Sequence, residues 1–124
     1  KFYALSQLVR ELSGQGMPTN RQVVGDRLFD VESGIIASWV KNCGQEHILE
    51  VFPYRWDLVG QHGPEIVLGK NSGIDSIWMW LERIGLHATE PQANEILLQV
   101  KARSHEKKDL LTEDEFRRIV AGVT

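Results

Sequence analysis

The chain has 124 residues and carries 14 Lys and Arg against 17 Asp and Glu, a formal net charge of −3. With 42% apolar and 25% charged residues it is long enough to bury a core, and its composition is not that of a disordered segment. The acidic balance argues against a non-specific nucleic-acid binder, and the single Cys43 cannot form an internal disulfide, which fits a reducing compartment.

No apolar run approaches the roughly 20 residues needed to span a bilayer. The N-terminus lacks a signal-peptide core. A cytoplasmic protein without membrane or nucleic-acid partners is therefore expected. Lys1 leads directly into an apolar periodic segment, so the chain reads as a piece of something longer.

Phe2, Leu5, Leu8, Val9 and Leu12 recur at helical steps, and Ser13, Gly14 and Gly16 end that helix. Its apolar stripe needs a partner surface. A breaker at 18–20 precedes Val23, Val24 and Gly25, which read as a short extended lead-in. Val31, Ile35, Ile36, Trp39 and Val40 predict a helix over 31–41, stopped by residues 42–44. Apolar runs at 48–52 and 66–68, set between prolines and glycines, read as two short strands.

The C-terminal third is helical. Ile74, Ile77, Trp78, Leu81 and Ile84 form a stripe ended by Gly85, with Ser72 as its expected N-cap. Thr89 with Gln92, and Thr112 with Glu115, are capping-box pairs that each mark a further helix start, and Pro91 lies in the first turn of the former. Trp78 and Trp80 lie two apart on one helix with Met79 between them, so that helix is expected to be buried from two sides or at a subunit contact. The fold class expected is α+β, mostly α. Residues 1–17 form an opening helix, 18–70 a subdomain with one helix and two short strands, and 71–124 a three-helix subdomain.

Candidate chemistry is sparse. His47, His62, His87 and His105 stand singly, without the spacing of a metal site, and Cys43 has no local activating feature. No metal ligand and no catalytic residue is assigned within this chain. The 69–73 segment, Gly-Lys-Asn-Ser-Gly, lies where backbone N–H groups can hold an anion, but it lacks the phosphate-loop spacing and reads first as a strand-to-helix turn. The charged run 101–108 reads as a solvated helix face.

Several short motifs nevertheless stand in a telling order. Val24-Gly25, Phe29, Glu32-Ser33-Gly34-Ile35 and Lys41 are followed by Leu58-Val59-Gly60, and then by 66–70 (Ile-Val-Leu-Gly-Lys) with Ser72-Gly73. This set resembles the region after the catalytic barrel in the 2-isopropylmalate synthase and homocitrate synthase family. The opening helix resembles the last helix of that family's TIM barrel, and 112–120 the closing helix of its second subdomain.

The resemblance implies a Claisen-type condensation of an acyl-CoA with a 2-oxo acid held on a divalent metal. The metal ligands, a His-x-His pair with an Asp and an Asn, would lie in the barrel, so this chain would not catalyse by itself. It would instead dimerise and help cover a partner's active site. The family's lid His falls at Ile36, a common Asp at Ser38 and an assisting Tyr at Val51, while the His of the Gly-Lys-His-Ser-Gly turn is Asn71. Neither Ile36 nor Val51 can exchange a proton. The resemblance thus implies a homodimer whose barrel lies in cis or on a separate subunit, and a lid surface at Ile36, Ser38 and Val51. Glu32, Ser33, Gly34, Gly69, Lys70, Ser72 and Gly73 form its structural motif. The alternative is a stand-alone interaction or regulatory module, or the small subunit of a split synthase.

Overall fold

Helix α1 runs from Phe2 to Ser13 and ends as the sequence predicts: Gly14 adopts φ 67° and donates its N–H to the Arg10 carbonyl, 2.9 Å away. A computed structural model describes residues 1–124, and the α+β, mostly helical class holds. The remaining elements are β1 (Asp30–Val31), α2 (Gly34–Cys43), β2 (Glu65–Ile66), α3 (Ile74–Ile84), α4 (Glu90–Lys107) and α5 (Glu113–Val123). Strands β1 and β2 form one two-stranded sheet. No helix is long and apolar enough to cross a membrane.

The chain divides into two compact units. The first comprises Lys1–Asp30 and Cys43–Glu65. Its core is aromatic: Phe29 is buried, and the rings of Phe52, Tyr54 and Trp56 meet it edge-on at centroid distances of 5.6, 5.7 and 6.2 Å. Ile48 and Val59 are also buried.

Two expectations fail in this unit. The strand at 48–52 is instead the 3₁₀ turn Ile48–Glu50 followed by bends. The N–H groups of Glu50, Val51 and Phe52 bond back to the carbonyls of His47 and Ile48 at 2.9–3.1 Å, so they are not free to build a ladder. The extended lead-in at Val23 to Gly25 is a turn, with Val23 at φ 70°. Gly25 donates to the Arg21 carbonyl at 2.7 Å and accepts the Gln61 side-chain amide at 2.7 Å, which folds the segment on itself.

The second unit comprises Val31–Asn42 and Ile66–Thr124. Leu68, Ile77, Trp80, Leu81, Ile96 and Phe116 lead its buried core, and α4 packs between α3 and α5. Both capping boxes form, at Thr89 with Gln92 and Thr112 with Glu115. Gly85 ends α3 at φ 69°.

Here the corrections concern boundaries and partners. The helix predicted over 31–41 starts only at Gly34, because Val31 belongs to β1, and the strand predicted at 66–68 is β2, whose partner is β1. Gly73, not Ser72, is the N-cap of α3; the Ser72 hydroxyl instead accepts the Gly69 N–H at 2.9 Å inside the preceding turn. Helix α3 is one-sided. Trp80 is buried, donates its indole N–H to the Ile66 carbonyl at 2.7 Å and meets Phe116 edge-on at 5.4 Å. Half-buried Trp78 packs against the same core, while Glu82 and Arg83 face solvent.

Candidate functional site

Of the residues singled out by motif, Glu32, Ser33, Gly34, Gly69, Lys70, Ser72 and Gly73 flank the starts of α2 and α3. Glu32 and the 69–73 turn are joined directly: one Glu32 carboxylate oxygen accepts the Asn71 N–H at 2.9 Å, and the other faces the Asn71 side-chain amide at 3.5 Å. The Asn71 carbonyl in turn accepts the Gly34 N–H at 3.3 Å. A Cβ on Gly69 would stand 2.3 Å from the Glu32 carboxylate, so a side chain there would push Glu32 off its present position. The carbonyl of Ser33 accepts the Ala37 N–H at 2.9 Å and so begins the α2 ladder. Lys70 is exposed.

Of the expected lid positions, Ile36 and Ser38 lie on α2, the former half-buried. The Ser38 hydroxyl donates to the Asp75 carboxylate in the first turn of α3, and lies 2.9 Å from the Gly34 carbonyl. Val51, half-buried, follows the 3₁₀ turn in the first unit. Sequence reasoning passed over Asp75. Its only sequence signal was an acidic residue in the first turn of a predicted helix, where the dipole favours it.

A second polar centre, in the first unit, was also missed. Asp26 accepts hydrogen bonds from Arg10 at 2.8 Å, from Gln7 at 2.8 Å and from Tyr3 at 3.1 Å, three side chains on one face of α1. The Arg10 and Gln7 bonds hold the Asp26 carboxyl below its ordinary range, while burial and the neighbouring carboxylate raise Tyr3. Asp30 shifts the other way: burial, then the Glu65 charge, raise it. None of these groups is poised for metal binding. No set of three or more His, Cys, Asp or Glu side chains comes together to hold a metal ion.

No protein-family model matches the chain. Individual relatives do, over nearly its whole length. Homocitrate synthase AksA of Methanothermobacter thermautotrophicus is 34% identical over 122 residues, 98% of this chain and 30% of the relative. The 2-isopropylmalate synthase of Carboxydothermus hydrogenoformans is 33% identical over 114 residues, 92% of this chain and 22% of the relative. The chain belongs to the 2-isopropylmalate synthase and homocitrate synthase family.

A family member named as a candidate (R)-citramalate synthase CimA, from Archaeoglobus fulgidus, matches as well, at 32% over 99% of this chain and 24% of the relative. The chain thus spans between a fifth and a third of the length of these synthases and corresponds to their C-terminal region. Gly34, Gly69, Gly73 and Glu32 act here as packing residues. They bring two helix starts and one turn into contact.

Proposed function

We propose that this chain is the C-terminal dimerisation and lid region of a divergent acyl-CoA:2-oxo acid condensing enzyme of the Claisen type. The match across 98% of the chain to less than a third of a synthase carries this reading. In it, the divalent metal and the acyl-CoA belong to a catalytic barrel outside these residues, the active assembly is a two-fold dimer, and the enzyme works in the cytoplasm.

Two exposed apolar faces support the assembly. Helix α1 buries none of its residues, and its apolar stripe ranges from 49% exposed at Leu8 to 78% at Leu12. Left in water, such a face forgoes roughly 25 cal/mol for every Å2 that a partner would cover. On α2, Ile35 and Trp39 stand four residues apart on one face, 70% and 53% exposed, and suit a cross-subunit contact.

With Ile36 and Val51 at two of the lid positions, neither of these side chains can move a proton. The lid's contribution is to exclude water from the partner's site, which favours an acceptor with a hydrophobic or bulky end. Ser38 is held by Asp75 and orients α2 without entering the chemistry. The test is to express the intact gene product and measure CoA release with a panel of 2-oxo acids. Release with at least one acceptor is expected; silence with every acceptor overturns the synthase reading. In the same enzyme the double variant Ile36→His, Val51→Tyr should change turnover or acceptor preference. If neither changes, these positions do not touch the reaction.

A further inference from the structure

Two segments, the 69–73 turn that the sequence reads first as a strand-to-helix connection and the basic end of the 101–108 run that it reads as a solvated helix face, line one cavity in the second unit. Its volume is about 380 Å3. Lys70 contributes from the turn, Ser104, His105 and the cap residue Lys108 from the end of α4, Asp109 and Leu110 from the loop beyond, and Glu32 from the segment before α2.

The polar groups of this wall fall into two classes. The acceptors and the hydroxyl are engaged: Glu32 by Asn71, the Ser104 hydroxyl by the Asp109 carbonyl at 2.9 Å, and the Asp109 carboxylate by the Leu110 N–H at 2.7 Å. Neighbouring Lys107 is engaged too, on the Leu110 carbonyl and Glu115. The side-chain nitrogens of three lining residues are not. Lys70, His105 and Lys108 form no ion pair and no side-chain hydrogen bond.

Lys108 is notable for its backbone as well. It caps α4 in the left-handed region, at φ 58° and ψ 31°, with its N–H on the Ser104 carbonyl at 2.8 Å. Glycine is the residue that this position favours, so a lysine here trades conformational ease for a cation at the cavity wall.

We propose that this cavity binds a small phosphate-bearing anion, held by the ammonium groups of Lys70 and Lys108 with the His105 ring as a third donor. The choice of phosphate over carboxylate rests on donor geometry. A planar carboxylate is matched by the two-pronged guanidinium, whereas single-point ammonium donors arriving from separate elements suit the oxygens of a tetrahedral group. Glu32 and Asp109 lower the local potential, so affinity comes from the unpartnered donors and is modest, on the order of 1 mM.

The test is a titration of the 124-residue chain with inorganic pyrophosphate, followed by amide NMR at constant ionic strength against a sodium chloride reference. Saturable shifts are expected at residues 70–71 and 105–110. Lys108→Gly should weaken binding about tenfold without lowering Tm, since glycine suits the left-handed cap. Lys70→Ala should weaken it to a similar degree. Parallel titrations with inorganic phosphate and adenosine 5′-monophosphate identify the source: tighter nucleotide binding assigns a nucleotide ligand, equal affinity the phosphoryl group alone, and both support the site. The absence of saturable shifts up to about 20 mM pyrophosphate, shifts equal to those of chloride, or unchanged affinity in the Lys70→Ala, Lys108→Gly double variant overturns the proposal.

Discussion

Gly34 and Gly73 meet backbone to backbone: a Cβ on Gly34 would stand 2.6 Å from the Gly73 Cα, and one on Gly73 would stand 2.8 Å from the Gly34 Cα. The starts of α2 and α3 approach this closely only because neither residue carries a side chain. The Ser33-Gly34 and Ser72-Gly73 pairs therefore act together as a single packing device. Gly73→Ala should destabilise the chain by about 3 kcal/mol, the upper range for forcing a methyl group into packed backbone. Gly16→Ala is the control, since nothing lies within 4 Å of the added methyl. It should stay within about 1 kcal/mol of the parent in urea unfolding.

Phe116 anchors the core of the second unit, fully buried and edge-on to Trp80. Phe116→Ala should cost about 3–5 kcal/mol, and Phe116→Leu less than half of that, because leucine refills most of the cavity. Chemical denaturation monitored by tryptophan fluorescence checks both. Equal losses in the two variants would mean that ring geometry, not volume, dominates.

The Asp26 cluster makes stability sensitive at both ends of the pH scale. Arg10 and Gln7 depress Asp26 below its unfolded value near 3.8, so its contribution is complete above that pH and fades as pH falls through the depressed value. Tyr3 is raised above 10.0, so its contribution holds below pH 10 and fades as pH rises beyond it. Asp26→Asn should remove the acid-side dependence, weaken but not abolish the alkaline one, because burial is the first cause of the Tyr3 shift, and lower stability by about 1–2 kcal/mol, a modest value for a partly exposed ionic hydrogen bond. Thermal melts across pH in parent and variant measure this.

Glu115 is held at about 2, first by Lys107, then by the Thr112 N–H that closes the capping box. A carboxylate depressed from 4.5 stabilises the fold above pH 4.5 and loses that effect as pH falls towards 2. Glu115→Gln keeps the acceptor for the cap but removes the charge. Its melting temperature should fall less steeply than the parent's between those pH values. Parallel slopes in the two proteins would contradict the assignment.

The sequence by itself determined where α1 and α3 stop and where α4 and α5 start. The left-handed glycines at 14 and 85 and the capping boxes at Thr89 and Thr112 act within a turn of their own position, so local pattern suffices to place them. It also carried the family, through motifs whose order is specific even though each is short. Tertiary structure alone decided the partners. An apolar run such as 48–52 becomes a strand only if another strand meets it; here its N–H groups close a 3₁₀ turn instead, and β2 pairs with Asp30–Val31. Ser72, suited by type to cap a helix, serves Gly69 instead, because Gly73 is pressed against Gly34. Asp26 with Arg10, Ser38 with Asp75, and Lys70 with Lys108 across one cavity are separated by 16 to 38 residues. No local rule reads such pairings, since they depend on how packed backbones bring distant polar groups to one place.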